Sequence, residues 1–511
     1  MSTTPQNHTS QNHTAQEYAE FPGAEAGYGA SDVLLAEAAR RGADAEVWTA
    51  WHETEELVCR AGAVERRSEV SSGATALTVW ADGAEGYAVR NVPGATDPDL
   101  VTTALDIGRV LGTGAPSPGT ASPPPVPALA SAAEPDLDRA SDADRASDAD
   151  RASDADRASD LDRASDADRA PHTPAAAPLP RIGDDATARL RALAEGTADL
   201  EIELRVRADR TRVRLHRAGT APASYDTGVA QLFARVTARG EGTGYIGHQL
   251  FGRTLEEVLA DAERTALPGL VALARVLASR PVTALDHDDL LVDGRVVSRL
   301  LTLVAPAFLL DSVLEGRSPL KDRVGARVAS PGVTLRDDPT ATGSPLPTPW
   351  DGEGTPTGPT VLVEDGVLRG FLSSRRTAAE AGAPATGSAQ RGPNGEMPTV
   401  HPGHLLLSHA DDLGTEVRPD RTVLHVVQAN GAHTSNPITG DFSIGANAVL
   451  VSPDGTRRNA GNITLAGNVF DLLRSIDGHD GRVQVNRSNN SFVAAPGLWT
   501  RCLTVGHQDG A

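Results

Sequence analysis

Cysteine, lysine and aromatic residues are all scarce in this chain of 511 residues. Two cysteines, Cys59 and Cys502, are too few for a disulfide scaffold, and zinc ribbons and iron–sulfur centres need four clustered thiolates. Lys321 is the only lysine, so arginine carries nearly all the positive charge, and the formal balance is still −21. That balance argues against a protein that coats nucleic acid, which needs a basic face. The longest nearly apolar run, 300–310, is far shorter than the roughly 18–20 residues of a membrane helix. The first thirty residues have no basic start and no apolar core, unlike a secretory signal, so the expectation is a cytoplasmic protein. No Gly-x-Ser-x-Gly elbow, phosphate loop or Cys-x-x-Cys is found.

What is abundant is glycine and proline, about one residue in six together. Residues 1–30 are polar and aperiodic and read as disordered. Residues 113–180 read as a disordered insertion: a Pro-rich piece, then Asp-Arg-Ala-Ser-Asp-Ala repeated with a six-residue period that builds no apolar stripe. From Ser131 to Ala170 there are 13 acids and 6 arginines, so the remainder of the chain carries −14.

On either side, 31–112 and 181–285 read as one N-terminal mixed α/β domain with an antiparallel sheet. Ser31 is placed to cap a first helix. Alternation from Ala45 to Arg90 predicts strands, with a hairpin at Asp82-Gly83. Helices follow over 97–111 and 184–195. Strands are then expected over 198–207, 210–217, 228–239 and 242–252, and Thr254 caps a helix running towards Leu277. The arginines between Arg205 and Arg217 fit the solvent side of a sheet better than a nucleic-acid face, since no aromatics interleave them. Residues 286–511 read as a β-rich domain, barrel- or sandwich-like, that opens with an apolar helix over 294–314. Helical interruptions are expected at 374–381 and 468–476. The fold class is α+β.

Metal-ligand spacing is not met by the candidates. His52-Glu53 has no second histidine one turn on and sits in a strand-like pattern. His404 and His409 flank three leucines, five positions apart, and would face opposite ways along a strand; His401 stands apart. Gly242-Thr243-Gly244-Tyr245-Ile246-Gly247 matches a dinucleotide motif only in part and joins two expected strands.

The dense turns of the second half are more informative. They are Asp337-Asp338-Pro339, Trp350-Asp351-Gly352-Glu353-Gly354, Glu364-Asp365-Gly366, Ala385-Thr386-Gly387-Ser388, His433 to Ser443 with Asn436-Pro437-x-Thr439-Gly440-Asp441, and Thr464-x-Ala466-Gly467-Asn468. In this order they resemble the TldD/PmbA family, the modulator-of-gyrase proteins. The likeness spans nearly the whole chain and is most specific from Gly325 to Gly506.

That resemblance implies a two-subunit zinc peptidase that cleaves unfolded or leader peptides. In the TldD-like branch a helix carries His-Glu-x-x-x-His and a late cysteine completes the metal site. The corresponding stretch here, Leu300–Leu314, has no histidine, and Cys502 lies in a segment like the closing strand of the TldE branch. The chain therefore resembles TldE: no metal ligands and no cofactor of its own, with zinc expected in a TldD-like partner. The motif turns at Asp337, Asp338, Asp351, Glu353, Thr386, Asn436, Thr439 and Asp441 are expected to line the cleft. An alternative is a homodimer that holds a peptide or biosynthetic intermediate without cleaving it. A third is repurposed acid/base chemistry at His433 with Asp441. The family's gyrase association implies no DNA contact here, given the acidic balance and the absence of helix-turn-helix spacing.

Overall fold

The computed structural model describes residues 30–112, 117, 180–392, 394–430, 435–488 and 491–507. The polar stretch 1–30 and the insertion 113–180, apart from residues 30, 117 and 180, lie outside the described residues, and so does His433.

Two β-branched and aromatic strands of unusual length set up the N-terminal half. Strands β1 (Asp44–Arg60) and β2 (Ala63–Ala81) pair along their whole length, and β3 (Ala84–Arg90) folds back on β2. The expected hairpin at Asp82-Gly83 is there. Both residues have positive φ, 53° and 78°, the backbone of the two-residue turn that matches strand twist. Strands β4 (Leu200–Arg217), β5 (Ala223–Arg239) and β6 (Thr243–Gly252) complete an antiparallel sheet in the order β3-β2-β1-β4-β5-β6. The two strands expected over 198–217 are thus one, because β1 runs beside them without a break from Glu46 to Arg60.

Five helices cover one face of this sheet. Helices α1 (Ala30–Arg40) and α2 (Asp99–Leu111) pack Leu34, Leu100 and Ala104 on Val47, Leu77 and Val79. Ser31 lies inside α1 instead of capping it, and its buried hydroxyl hydrogen-bonds His216 Nδ1 at 2.8 Å. At the other end are α3 (Asp184–Leu193), α4 (Leu255–Asp261) and α5 (Leu267–Leu277). Thr254 forms a full capping box with Glu257 at the start of α4. A π turn, Ala262–Ala266, joins α4 to α5, where Pro268 offers no N–H to continue the ladder.

The C-terminal half is an eleven-stranded mixed sheet. Its centre is β7 (Asp289–Val292), parallel to β14 (Val423–Asn430), and β13 (His404–Ser408), parallel to β18 (Ser491–Thr500). One flank carries β8 (Thr334–Asp337), β9 (Thr360–Glu364) and β10 (Val367–Leu368). The other carries β15 (Asp441–Val451), β16 (Arg457–Asn468) and β19 (Thr504–His507), and β17 (Ile476–Ser488) pairs with β18. Strands β11 (Ala389–Gln390) and β12 (Thr399–Val400) form a separate two-residue ladder. The apolar helix expected over 294–314 is broken at Pro306: α6 (Gly294–Val304), a 3₁₀ turn at Ala305–Phe308, then α7 (Leu310–Leu314). Helices α8 (Arg375–Ala381) and α9 (Val469–Arg474) fall where interruptions were expected. Leu270 and Ala274 of α5 share a core with Val423, Val449 and Trp499, so α5 is packed between the two sheets.

The arginines of β4 do not share one solvent face. Arg205 and Arg207 are exposed, whereas Arg210, Arg214 and Arg217 are buried. Arg210, 2% exposed, lies on the helical face and reaches Glu53 at 2.8 Å and Glu55 at 2.7 Å. A guanidinium this deep needs both carboxylates, since an unpaired buried charge costs several kcal/mol, about 3–5 when a partner is removed.

Candidate functional site

The motif turns expected to line a cleft separate into two constellations. The first is a layer of loops seated on the sheet face opposite the helices. Trp350 is fully buried there among Trp48, Ala50, Ala74, Ala76, Val213 and Leu215, and Tyr225 meets it edge-on at 4.6 Å between ring centroids. The next residue, Asp351, accepts three backbone N–H groups: Glu353 and Thr355 on Oδ1 and Ala389 on Oδ2, each at 2.9 Å. Burial and the neighbouring Glu353 charge raise its pKa, against the pull of those three donors.

Glu353 accepts from Arg375 N at 2.8 Å at the start of α8, and its carbonyl accepts from Arg217 Nη2 at 2.6 Å. Arg217 also pairs with buried Glu46 at 2.7 Å. Arg391 donates to Gly352 O at 2.6 Å and lies 5.5 Å from the Trp48 ring centroid and 5.4 Å from that of Tyr87. Thr386 closes the layer through a reciprocal clasp: its hydroxyl accepts from Ser373 N at 2.8 Å, while Ser373 Oγ accepts from Thr386 N at 3.2 Å.

Asp337 ends β8 beside this layer. Its carboxylate accepts from His404 N at 2.8 Å and Gly403 N at 3.2 Å. Burial pushes its pKa up to about 7. Asp338 turns the chain, accepting from Thr340 N and Oγ1 at 3.1 and 2.7 Å. His404 is buried, neither ring nitrogen is hydrogen-bonded among the described residues, and burial holds its pKa down at about 4.

The second constellation is the turn before β15, at the sheet rim. Asn436 Oδ1 accepts from Ile438 N and Thr439 N at 2.9 and 3.2 Å. Asp441 accepts from Thr439 Oγ1 at 2.7 Å and from Asn468 Nδ2 at 2.8 Å. Those hydrogen bonds hold its carboxyl below the usual range. Asn468 meanwhile caps α9 through Phe470 N and Asp471 N. Asp441 is thus a fastener between two turns, and its supposed partner His433 lies outside the described residues.

Among the described residues no three His, Cys, Asp or Glu side chains group as ligands. The inward side of α6 carries Val296, Val297, Leu300, Leu301 and Val304, none with a lone pair to give. The Cys502 sulfur meets the Thr500 hydroxyl at 3.3 Å.

Sequence reasoning missed the residues that seat the layer: Glu46, Arg217, Arg375 and Arg391. Arg217 stands 136 positions from the carbonyl it binds, and no local spacing encodes that. The one sequence signal was an acid, Glu46, inside an otherwise apolar strand start, and an acid in that setting needs a buried cation.

Residues 287–507 match the PmbA/TldA metallopeptidase C-terminal domain family. A protein named Metalloprotease from Methanothermobacter thermautotrophicus is 30% identical over 264 residues, covering 50% of this chain and 56% of that protein. Another of that name, from Archaeoglobus fulgidus, is 33% identical over 172 residues, 32% of this chain and 39% of that one. The chain thus spans about half or less of the curated relatives it matches. Among solved structures, TldE from Thermococcus kodakarensis superposes with a TM-score of 0.70 at 18% identity, over 94% of this chain and 100% of that one. At that identity the likeness speaks for the fold.

Proposed function

The chain belongs to the TldD/PmbA family, and we propose that it is the subunit without a metal site in a two-protein metallopeptidase. In this reading a TldD-like partner brings the zinc, and this chain completes the cleft and holds an unfolded or leader peptide, for example in the maturation of a peptide natural product. One observation carries the reading. The helical stretch from α6 to α7, where the family resemblance places a metal-bearing helix, carries no histidine and no cysteine, and its single carboxylate is Asp311. Hydrolysis of a peptide at neutral pH with a metal requires an ion that acidifies water and polarises the carbonyl. The side chains of α6 supply packing in place of that chemistry.

What this chain contributes is a rigid wall. The loop layer locks one end of the N-terminal sheet to the C-terminal sheet through Trp350, Arg217 and Arg391. Extended peptides bind such β-rich walls by adding a strand and placing alternate side chains in pockets.

Co-expression with a TldD-like protein tests the proposal. The expected result is a stable complex whose cleavage of an unfolded peptide falls to background when this chain is omitted. No complex, or cleavage that is unchanged without this chain, overturns it. So does stoichiometric transition metal in the chain purified alone.

A further inference from the structure

A cavity of about 500 Å³ lies where β5 and β6 of the N-terminal sheet approach α6, β14 and β17. That size is within the range of pockets that take a small ligand or one to two side chains. Three guanidinium groups line it, from Arg235, Arg295 and Arg299. Arg295 and Arg299 stand one helical turn apart on α6 and so face the same way. No carboxylate is among the lining residues.

The three arginines are not equivalent. Arg295 is held in a two-point pair with Asp293, at 2.7 and 3.0 Å. Arg235 lies over the Tyr245 ring, 5.2 Å from its centroid, and no carboxylate within ion-pair distance is recorded for it or for Arg299 among the described residues. Opposite Arg235 in the strand register is Gly247, where a methyl group would stand 3.2 Å from the Phe233 ring, a tight contact. Gln249, Gln428 and Asn486 add amide groups, which can both donate and accept. Gln428 is already anchored, accepting from Gly247 N at 3.3 Å. His248 stays neutral near pH 7 because burial holds its pKa down at about 3, so the positive potential is that of the arginines.

We propose that this cavity binds the carboxylate side chains of an acidic peptide segment, with Arg235 and Arg299 as the recognition pair. The inference rests on the peptide-handling reading above and names the class of peptide. A guanidinium fork matches a carboxylate with two parallel hydrogen bonds, and the amides suit the main chain on either side of it. A free phosphate fits less well. The α6 N-terminus that would attract it is already capped by Asp293, which accepts from Arg295 N at 2.9 Å, and that carboxylate repels a dianion more than a monoanion.

The test uses the full chain alone and fluorescence anisotropy. One probe is a fluorescein-labelled decapeptide of alternating Ala and Glu, and the other its Ala and Gln counterpart. The Glu peptide should bind about tenfold more tightly, and that preference should vanish in the double variant Arg235→Gln, Arg299→Gln. Arg235 and Arg299 are exposed, so the variant should retain the thermal melt of the parent. Arg474→Gln, an exposed arginine on α9, should leave the preference intact. Equal binding of the two peptides, or a preference that survives the double variant, overturns the inference. Inorganic phosphate that displaces the Glu peptide at concentrations comparable with the peptide itself overturns it as well. The result is separable from the pairing proposal: a complex that forms and cleaves without any Glu preference removes this inference alone.

Discussion

The loop layer around Asp351 and the turn at Asn436–Asp441 are built from the same residue types and behave as opposites. Both are dense in Asp, Gly, Thr and Asn. In the layer, the carboxylates of Asp337 and Asp351 are buried, accept only backbone N–H groups, and have raised pKa values. In the turn, Asp441 is exposed, accepts from side chains, and has a lowered pKa. Glycine- and aspartate-rich sequence therefore specifies tight backbone in both places, and the surroundings decide whether the charge is costly or useful. The layer is where two halves of the molecule meet, while the turn ties one hairpin to one short helix.

If that contrast is right, damage to the layer should cost far more than damage to the turn. Trp350→Ala removes the side chain that fills the sheet face and should cost about 3–5 kcal/mol in urea unfolding. A cost near zero would mean that the layer does not hold the halves together. Glu46→Ala leaves Arg217 facing a buried site without its acid, and about 3 kcal/mol should be lost, with faster proteolysis between the halves. Glu46→Gln should recover part of it, because the amide oxygen can still accept from Arg217.

Asp337 should show its burial as a pH dependence, with an effect on the order of 2–3 kcal/mol between pH 5 and pH 8. Its pKa in the folded chain is about 7, above the value near 3.9 of an unfolded aspartate. The folded chain therefore keeps a proton that the unfolded chain releases between about pH 4 and pH 7. The stability linked to the neutral form is complete below about pH 4 and is lost as pH rises through 7. Asp337→Asn cannot ionise, so its melting temperature should gain on that of the parent from pH 5 to pH 8. A constant difference across that range would contradict the burial argument.

Much of the local structure was legible because its causes are local. Thr254 with Glu257 reads as a capping box, Asp82-Gly83 as a hairpin turn, and Ser374 with Thr377 as a helix start. Pro306 explains the break between α6 and α7 as soon as its missing N–H is considered. The arginines of β4 were harder. Alternation places residues on faces, but what covers each face is set by chain far away. The helices and residues 180–182 cover Arg210, the Trp350 loop covers Arg217, and nothing in the residues around either announces this. The motif acids were visible in the sequence as a cluster of turns. Their division into a buried layer and a rim turn was not, because it depends on which loop reaches the N-terminal sheet.

The smallest effects belong to the rim, and they test the contrast from its other side. Asn468 does two things: its oxygen caps α9 and its amide nitrogen holds Asp441 and the Thr439 carbonyl. Asn468→Ala should cost about 1 kcal/mol, the usual loss for a missing cap. Asn468→Asp keeps the cap oxygen but places a second carboxylate against Asp441, so it should recover the α9 cap while loosening the turn. Asp441→Asn should leave the thermal melt unchanged, because its amide oxygen can still accept from Thr439 and the site is open to water. Should Asp441→Asn nevertheless abolish peptide cleavage by the assembled complex at unchanged stability, the turn has a functional role that its fastening geometry does not explain. If stability and cleavage both survive, Asp441 acts only to fasten the β15–β16 hairpin to α9, and the chemistry of the complex lies elsewhere.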